Sequence, residues 1–257
     1  MAMMLGMLER FPLSKYKPLS PDAVHIFAET GKMAYADRDQ YLSDPDFLAQ
    51  PLAQLLDRAY LRKRSREINL TTANPKPAPG ELKGVHVALG EDRTEEQPAT
   101  SHLSVIDGEG NAIALTTSVE SAFGSRIMVH GFMLNNQLTD FSWQPSVNGK
   151  EAANRVEGGK RPRSSMAPTI VFDANGKVRY VLGSPGGLQI INYVAQTLVA
   201  LIDWKLSEQE ALDPIETYAS LMVTYEAPKL RGPFNYLARK AAGFTDAELL
   251  ALDMHPL

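Results

Sequence analysis

Residues 100–119 read TSHLSVIDGEGNAIALTTSV, and this stretch carries the strongest structural signal in the chain. Two runs rich in apolar and β-branched residues flank Gly-Glu-Gly-Asn at residues 108–111. Glycine and asparagine tolerate the backbone angles of a tight turn, so this spacing predicts a β-hairpin. The first strand opens with Thr100, Ser101 and His102, which places two hydroxyls and an imidazole where a loop enters a sheet.

Helical patterns lie on both sides of the predicted strands. A second hairpin is predicted from APTIVFD at residues 167–173 and KVRYVLGS at residues 177–184, and GFMLNN at residues 131–136 is a further strand candidate. Periodicity, N-caps and breakers predict helices at residues 2–10, 21–42, 52–66, 188–204, 207–212 and within 234–252. Helices segregated from antiparallel strands favour an α+β fold over alternating βαβ units.

Residues 69–99 differ in composition from the rest of the chain. They hold four prolines and end in the acidic run between Gly90 and Gln97. This composition predicts an exposed, mobile loop. A linker between two domains and a functional loop within one domain both fit a segment of this length.

Composition excludes several classes of function. The 257 residues include 30 acidic and 26 basic side chains, a net charge of -4 that leaves no footprint for nucleic acid. The chain has no cysteine, which excludes disulfides, thiolate metal sites and a cysteine nucleophile. No apolar run is long enough to span a membrane, and the first residues do not resemble a signal peptide.

A nucleophile in this chain would therefore be a serine, a threonine or a lysine. A hydroxyl nucleophile needs a base, which is either a neighbouring histidine or the free α-amino group of an N-terminal threonine, whose pKa of ~8 lies near neutrality. The second route requires a chain break directly before the threonine. Thr100 suits it, because a solvated loop precedes it and a strand follows. His102 is more simply interpreted as a structural hydrogen-bonding residue.

Five segments occur in a fixed order that resembles a known family. They are MAYADRDQYLSDPDF at residues 33–47, TSHLSVIDGEGNAIALTTSVES at 100–121, GFMLNNQLTDFS at 131–142, KRPRSSMAPTIV at 160–171 and GSPGG at 183–187. Each alone has a structural interpretation, such as a turn cap or a tight turn, but together they resemble the γ-glutamyltranspeptidase family.

The resemblance implies an N-terminal-nucleophile hydrolase with a four-layer αββα sandwich, here incomplete. Residues 1–99 would form the end of the large-subunit region, and residues 100–257 the small-subunit catalytic region, truncated at its end, the two making one domain. Thr100 would cut the Ala99–Thr100 bond, and its freed amine would serve as the base. The implied partners are a small γ-glutamyl substrate such as glutathione and an acceptor, which is an amino acid, a peptide or water. No cofactor or metal ion is implied, and the family's location is periplasmic or extracellular.

The motifs also imply roles for individual residues. Ser118 matches a hydroxyl that hydrogen-bonds the nucleophile, and Gly186 and Gly187 match the backbone N–H pair of an oxyanion hole. The implied substrate-binding residues are Glu120, Gln137, Asp140, Ser164 and Ser165. Of these, Gln137 and Asp140 match residues that hold the substrate α-amino group, and the two serines match the pair that binds the α-carboxylate.

Two departures from the family keep other functions open. Glu120 stands where many members have an asparagine that binds the α-carboxylate, which favours a related acylase with a different acyl group. The family arginine that pairs with this carboxylate has no counterpart in these residues, so we expect weak activity unless a second chain carries the missing large-subunit half. The remaining alternative is a truncated, catalytically inactive fragment that serves as a scaffold or partner-binding piece.

Overall fold

The computed structural model describes residues 1–85, 89–94 and 99–212. The helices of these residues are α1 (Ala2–Leu8), α2 (Pro21–Tyr41), α3 (Leu52–Leu55), α4 (Arg58–Arg66), α5 (Ile190–Ile202) and α6 (Glu208–Leu212). The strands are β1 (Thr100–Ile106), β2 (Ala112–Ser118), β3 (Met128–Val129), β4 (Phe132–Met133), β5 (Ser146–Val147), β6 (Lys150–Glu151), β7 (Thr169–Phe172) and β8 (Val178–Leu182). Helices and strands are segregated along the chain, as expected for an α+β fold. The helices expected within residues 234–252 lie outside the described residues.

The chain divides into two compact units, the first of which is helical. It comprises Met1–Asp37, Leu52–Val85 and, within the described residues, the chain from Ala195 onward. Methionine and other apolar side chains of α1 and α2 are buried in its core. There the ring of Phe27 lies 6.2 Å from the ring of Trp204, centroid to centroid.

The helix expected over residues 52–66 is two helices, α3 and α4. The break falls at Asp57, whose Oδ1 accepts hydrogen bonds from the backbone N–H groups of Ala59 and Tyr60, both at 2.9 Å. An aspartate that satisfies two free N–H groups is a strong N-cap, and its own backbone is extended rather than helical. The N-cap at Asp57 therefore separates α3 from α4 within the segment that was expected to be one helix.

Part of the proline-rich stretch at residues 69–99 is held against the first unit rather than exposed. Its described residues form no helix or strand before Thr100. Leu82 is buried, and the N–H of Gly80 donates to Asp37 at 2.7 Å. The carboxylate of Glu29 accepts the N–H of Asn74 at 3.0 Å. Buried carboxylates of α2 thus supply acceptors that composition alone does not reveal.

The second unit holds the eight strands found in the described residues. It comprises Arg38–Pro51 and His86–Val194, and its strands form four antiparallel pairs: β1–β2, β3–β4, β5–β6 and β7–β8. Both predicted hairpins are confirmed. In the first, Thr100 pairs with Ser118 and Ile106 with Ala112. This register brings the first residue of β1 next to the last residue of β2, which positions the site described below.

The hairpins β1–β2 and β7–β8 lie against each other within this unit. Several apolar side chains of the first hairpin nevertheless stay exposed, among them Leu103 and Ile113, at 46% and 58%.

Among the described residues, no helix has the length and hydropathy needed to cross a lipid bilayer.

Candidate active site

A small cavity in the second unit is lined by eight of the ten site residues expected from the sequence. They are Thr100, Ser118, Glu120, Gln137, Asp140, Ser164, Ser165 and Gly187, joined by Met166 and Ile190. Ala99 and Gly186 are not part of the lining, although each adjoins a residue that is. The cavity volume is about 20 Å³, room for about one water molecule. Larger cavities of about 620 and 700 Å³ lie in the first unit and contain none of these side chains.

Ser118 is hydrogen-bonded to the peptide bond that precedes Thr100. Its hydroxyl donates to the Ala99 carbonyl at 2.8 Å and accepts the backbone N–H of Glu120 at 2.8 Å. The β1–β2 register places Thr100 directly opposite Ser118. In this uncut chain the serine thus polarises the carbonyl next to Thr100, whereas the family resemblance implies a bond to the nucleophile itself. A donor on this oxygen would stabilise negative charge that develops there.

Two carboxylates, Glu120 and Asp140, line the same cavity, and both are buried. Glu120 has a left-handed backbone with φ of 76°, which is costly for a residue other than glycine and is typical of functional sites. The amide of Asn136 donates to its Oε2. Within the part of the chain that the structure describes, the buried Oε1 has no hydrogen-bond partner. A pair of buried acceptors of this kind suits an ammonium group.

Gln137 and Asp140 begin and end a 3-10 turn, Gln137–Asp140. Asparagine side chains form the approach to it: Asn135 accepts the N–H of Gln137 at 3.0 Å, and Asn136 accepts the N–H of Ser121 at 3.0 Å. The strand expected over residues 131–136 is shorter: the N–H of Leu134 still bonds the Ile127 carbonyl at 2.9 Å, and the cross-strand bonds stop where these local bonds begin. Side chains that bond nearby backbone groups compete with a strand ladder.

Hydroxyls of Ser164 and Ser165 line the cavity as well. Hydrogen bonds fix the extended segment before them: the N–H of Arg163 donates to Asn154 at 3.0 Å. Arg161 donates to Asp44 through its backbone N–H, Nε and Nη2, at 2.8, 3.0 and 2.8 Å. These bonds from Arg161 hold the pKa of the Asp44 carboxyl well below its usual range. The serine pair therefore sits on a segment that side chains far away in sequence hold in place.

Gly186 and Gly187 have backbone angles that only glycine adopts easily, with φ of 132° and 54°. A Cβ on Gly186 would lie 2.4 Å from the ring of Tyr193, so space also requires glycine there. The two glycines open the 3-10 turn Gly187–Gln189, which leads directly into α5. Free N–H groups at a helix start can stabilise an oxyanion.

The predicted site residues thus line one cavity, but the sequence did not reveal some of the residues that hold them in place. Asn136 adjoins Gln137 within a quoted motif and could have been noticed from the sequence. Arg38, which donates to Ser165, is separated from it by 127 positions, so no local signal connects them. His102 bonds the hydroxyls of Thr116 and Ser104, at 2.8 and 3.0 Å, as a structural histidine would.

Comparisons with known proteins identify the family of the chain. The family model described as Gamma-glutamyltranspeptidase matches residues 1–235. The Glutathione hydrolase proenzyme of Bacillus subtilis (strain 168) is 38% identical over 230 residues, which are 86% of this chain and 38% of that protein. The Glutathione hydrolase proenzyme of Escherichia coli (strain K12) is 41% identical over 214 residues, 80% of this chain and 35% of that protein.

A solved structure of an acylase also resembles the chain. The cephalosporin acylase from Bacillus halodurans has a TM-score of 0.61 and 25% sequence identity, over 82% of this chain and 36% of that one. The chain therefore spans little more than a third of the length of each of these proteins. Because the family model matches most of its residues, the chain belongs to the γ-glutamyltranspeptidase family.

Proposed function

We propose that the chain cuts its own Ala99–Thr100 bond and then transfers the γ-glutamyl group of glutathione and other γ-glutamyl amides to water or an amino acceptor. One observation carries the proposal: the Ser118 hydroxyl donates to the Ala99 carbonyl at 2.8 Å, beside a threonine that lines a cavity with two carboxylates and two serines. The site would thus serve two successive acyl transfers.

The first transfer is intramolecular. The Thr100 hydroxyl attacks the Ala99 carbonyl carbon, the carbon–nitrogen bond breaks, and the proton of the hydroxyl ends on the released amine. Ser118 stabilises the negative charge on the carbonyl oxygen during attack. Water then hydrolyses the ester, which leaves the Ala99 carboxylate and a Thr100 with a free amine, whose ordinary pKa of ~8 suits a base at neutral pH.

The second transfer uses the same hydroxyl on the substrate. The substrate α-ammonium lies toward Gln137 and Asp140, in the cavity that Glu120 also lines, and its α-carboxylate lies toward Ser164 and Ser165, so that the γ-carbonyl reaches Thr100. The Thr100 amine takes the hydroxyl proton and passes it to the leaving amine. Backbone N–H groups at residues 186–187 stabilise the oxyanion, and water or an amino acceptor releases the γ-glutamyl group.

The remaining expectations for the whole protein belong to the same proposal. A four-layer αββα sandwich belongs to this proposal, and the two antiparallel hairpins that lie against each other in the second unit support it. That residues 1–99 and 100–257 make one domain stays a prediction. A second chain with the rest of the large-subunit region would supply the carboxylate-binding arginine. A periplasmic or extracellular location follows from the family resemblance, and fractionation of host cells would test it.

Mass spectrometry of the purified chain tests the cleavage step. We expect two fragments, which begin at Met1 and Thr100, and we expect Thr100→Ala to remain intact. Ser101→Ala is the matched control, because it removes the adjacent, exposed hydroxyl. Ser118→Ala should slow cleavage by about 100-fold to 1,000-fold, the usual effect of losing one oxyanion donor. A wild-type chain that stays whole after long incubation would overturn the proposal and favour an inactive scaffold.

An acylase with another acyl group is the second candidate, and the likeness to the cephalosporin acylase favours it. Two anilides distinguish the candidates: the γ-glutamyl anilide carries an α-ammonium, and the glutaryl anilide lacks it. The proposed enzyme releases the amine faster from the first, although turnover by this chain alone is expected to be weak. Faster release from the glutaryl anilide would identify the acylase.

A further inference from the structure

Arg38, in the last turn of α2, contacts the floor of the candidate site. Its Nη2 donates a hydrogen bond to the Ser165 Oγ at 2.8 Å. Both residues are buried, with 5% and 2% of their surface exposed. The partners belong to the same compact unit, although 127 positions separate them in the sequence. A bond of this kind, shielded from water, fixes the position of the serine oxygen.

The chemistry of the pair also restricts the directions in which the serine proton can point. A guanidinium group can only donate, so the Ser165 oxygen is the acceptor in this bond. Among the described residues, no acceptor receives the proton of the Ser165 hydroxyl, while Ser165 lines the small cavity. We propose that Arg38 is a positioning residue, which holds the Ser165 hydroxyl so that its O–H points into the cavity and donates to a carboxylate of the substrate. This inference rests on the proposed function.

The charges around Arg38 indicate that it contributes a hydrogen bond to the cavity rather than net positive charge. Its Nη1 lies 3.7 Å from Asp39 Oδ1, and Asp39 pairs with Arg163 Nη2 at 2.8 Å. The same nitrogen of Arg163 lies 2.9 Å from the buried Asp92. Two cations therefore face two carboxylates, and the positive charge of Arg38 is balanced within the network. What Arg38 adds to the cavity is one hydrogen bond, which polarises the Ser165 hydroxyl and makes it a stronger donor.

The consequence is an effect specific to the carboxylate. A hydroxyl held in place donates a charge-assisted hydrogen bond to an α-carboxylate, whereas a ligand without that group gains nothing from it. Hydrogen bonds to charged groups contribute enough to change affinity by about 10-fold to 100-fold. Loss of Arg38 should therefore weaken carboxylate-bearing ligands by that factor and leave other ligands nearly unchanged.

Binding to the Thr100→Ala chain, measured by calorimetry, separates this role from catalysis. L-glutamine and 4-aminobutyramide form the ligand pair, because both carry the amine and the terminal amide and only glutamine has the α-carboxylate. We expect Arg38→Gln to weaken glutamine by about 10-fold to 100-fold and 4-aminobutyramide by about 3-fold at most. Arg38→Lys, which keeps a donor, should retain part of the glutamine affinity. Arg179→Gln removes an exposed arginine of β8 and is the control.

A double-mutant cycle decides whether Arg38 acts through Ser165. In the Ser165→Ala background, Arg38→Gln should have almost no further effect, because the hydroxyl that it positions is absent. Three outcomes would overturn the inference. They are Arg38→Gln and Ser165→Ala effects on glutamine affinity that multiply in the double variant, equal losses of affinity for both ligands, and no glutamine binding at all. If Arg38→Gln unfolds the chain, the ligand selectivity of Arg38→Lys tests the same role.

The outcome is distinguishable from that of the proposed function. Selective loss of glutamine binding in the variants, together with an uncut Ala99–Thr100 bond in the wild-type chain, would support the role of Arg38 and overturn the acyl transfer. Cleavage of the Ala99–Thr100 bond without any selective effect of the Arg38 variants would support the acyl transfer and overturn the role of Arg38.

Discussion

His102 gives the first hairpin a response to pH. Its ring accepts or donates one bond to each of two hydroxyls, and a Cβ on Gly183 would lie only 2.3 Å from it. Burial lowers the pKa of the His102 imidazole, because the charged form loses water there. The neutral form therefore stabilises the fold relative to the protonated form.

The sign of the pH effect follows from this pKa. The unfolded chain, with the ordinary histidine pKa of ~6.5, takes up a proton at a higher pH than the folded chain does. The contribution of His102 is fully present above that pH and is lost as the pH falls through the lowered value. We expect His102→Gln to show a smaller decline in the urea midpoint between about pH 7 and pH 5.

The difference between wild type and variant is the measurement, since it cancels the other histidines. A difference in midpoint that stays constant over this pH range would contradict the prediction, whatever its size. Circular dichroism at each pH supplies both unfolding curves.

At the scale of elements, both hairpins use the same turn. In the first, Asp107 Oδ1 accepts the N–H groups of Glu109 and Asn111, each at 2.9 Å. In the second, Asp173 Oδ1 accepts those of Asn175 and Lys177, at 2.8 and 2.9 Å. An aspartate that organises the turn in this way sets the register of the strands that follow.

Asp107→Ala should therefore lower the urea midpoint and also slow the appearance of the fragment that begins at Thr100. The reason is register: Ser118 donates to the Ala99 carbonyl only while β1 and β2 are paired as observed. Asp173→Ala is the matched control, because it removes the same turn contacts from β7–β8. We expect a comparable loss of stability with much faster cleavage than in Asp107→Ala. Equal cleavage rates in the two variants would contradict the register argument.

Elements with strong local signals were predictable from the sequence, and those decided by competing contacts were not. The hairpin over residues 100–118 and helix α2 after Ser20 have clear turn and cap residues, and both form as expected. The break at Asp57 and the short β4 result from side chains that bond nearby backbone groups. Whether a side chain replaces a regular helix or strand bond depends on the geometry that the rest of the unit permits, and a short stretch of sequence does not show that geometry.

At the scale of the whole molecule, motif order predicted most residues of the candidate site but not the contacts that hold them in place. The residues from Thr100 to Gly187 that line the cavity were singled out because their motifs follow one another in a family order. Arg38 and Arg163 lie within two of these motifs, but nothing in the motifs shows their partners, since each contacts residues far away in the chain. Buried ion pairs with distant partners are products of packing, and a single sequence does not reveal the pairing.

The first unit depends on a buried ion pair of this kind. Asp37 accepts hydrogen bonds from Arg64 Nη2 at 3.0 Å, from the Tyr60 hydroxyl at 2.7 Å and from the Gly80 N–H at 2.7 Å. Asp37 and Arg64 are 1% and 2% exposed. Asp37→Ala would remove the buried carboxylate from Arg64, whose Nη1 keeps the exposed Glu67 as a partner, and removal of one partner of a buried pair typically costs about 3–5 kcal/mol.

We therefore expect Asp37→Ala to lower the free energy of unfolding by about that amount and to speed hydrogen exchange in α1, α2 and α4. Asp22→Ala is the control: it removes an exposed carboxylate from the first turn of the same helix, where a favourable dipole contact contributes at most ~1 kcal/mol. Urea titration gives the energies, and exchange mass spectrometry locates the loss. Similar destabilisation by both substitutions would mean that helix charge, rather than the buried pair, stabilises the unit. An exchange increase confined to residues near Asp37, with α1 unchanged, would mean that the pair acts only locally.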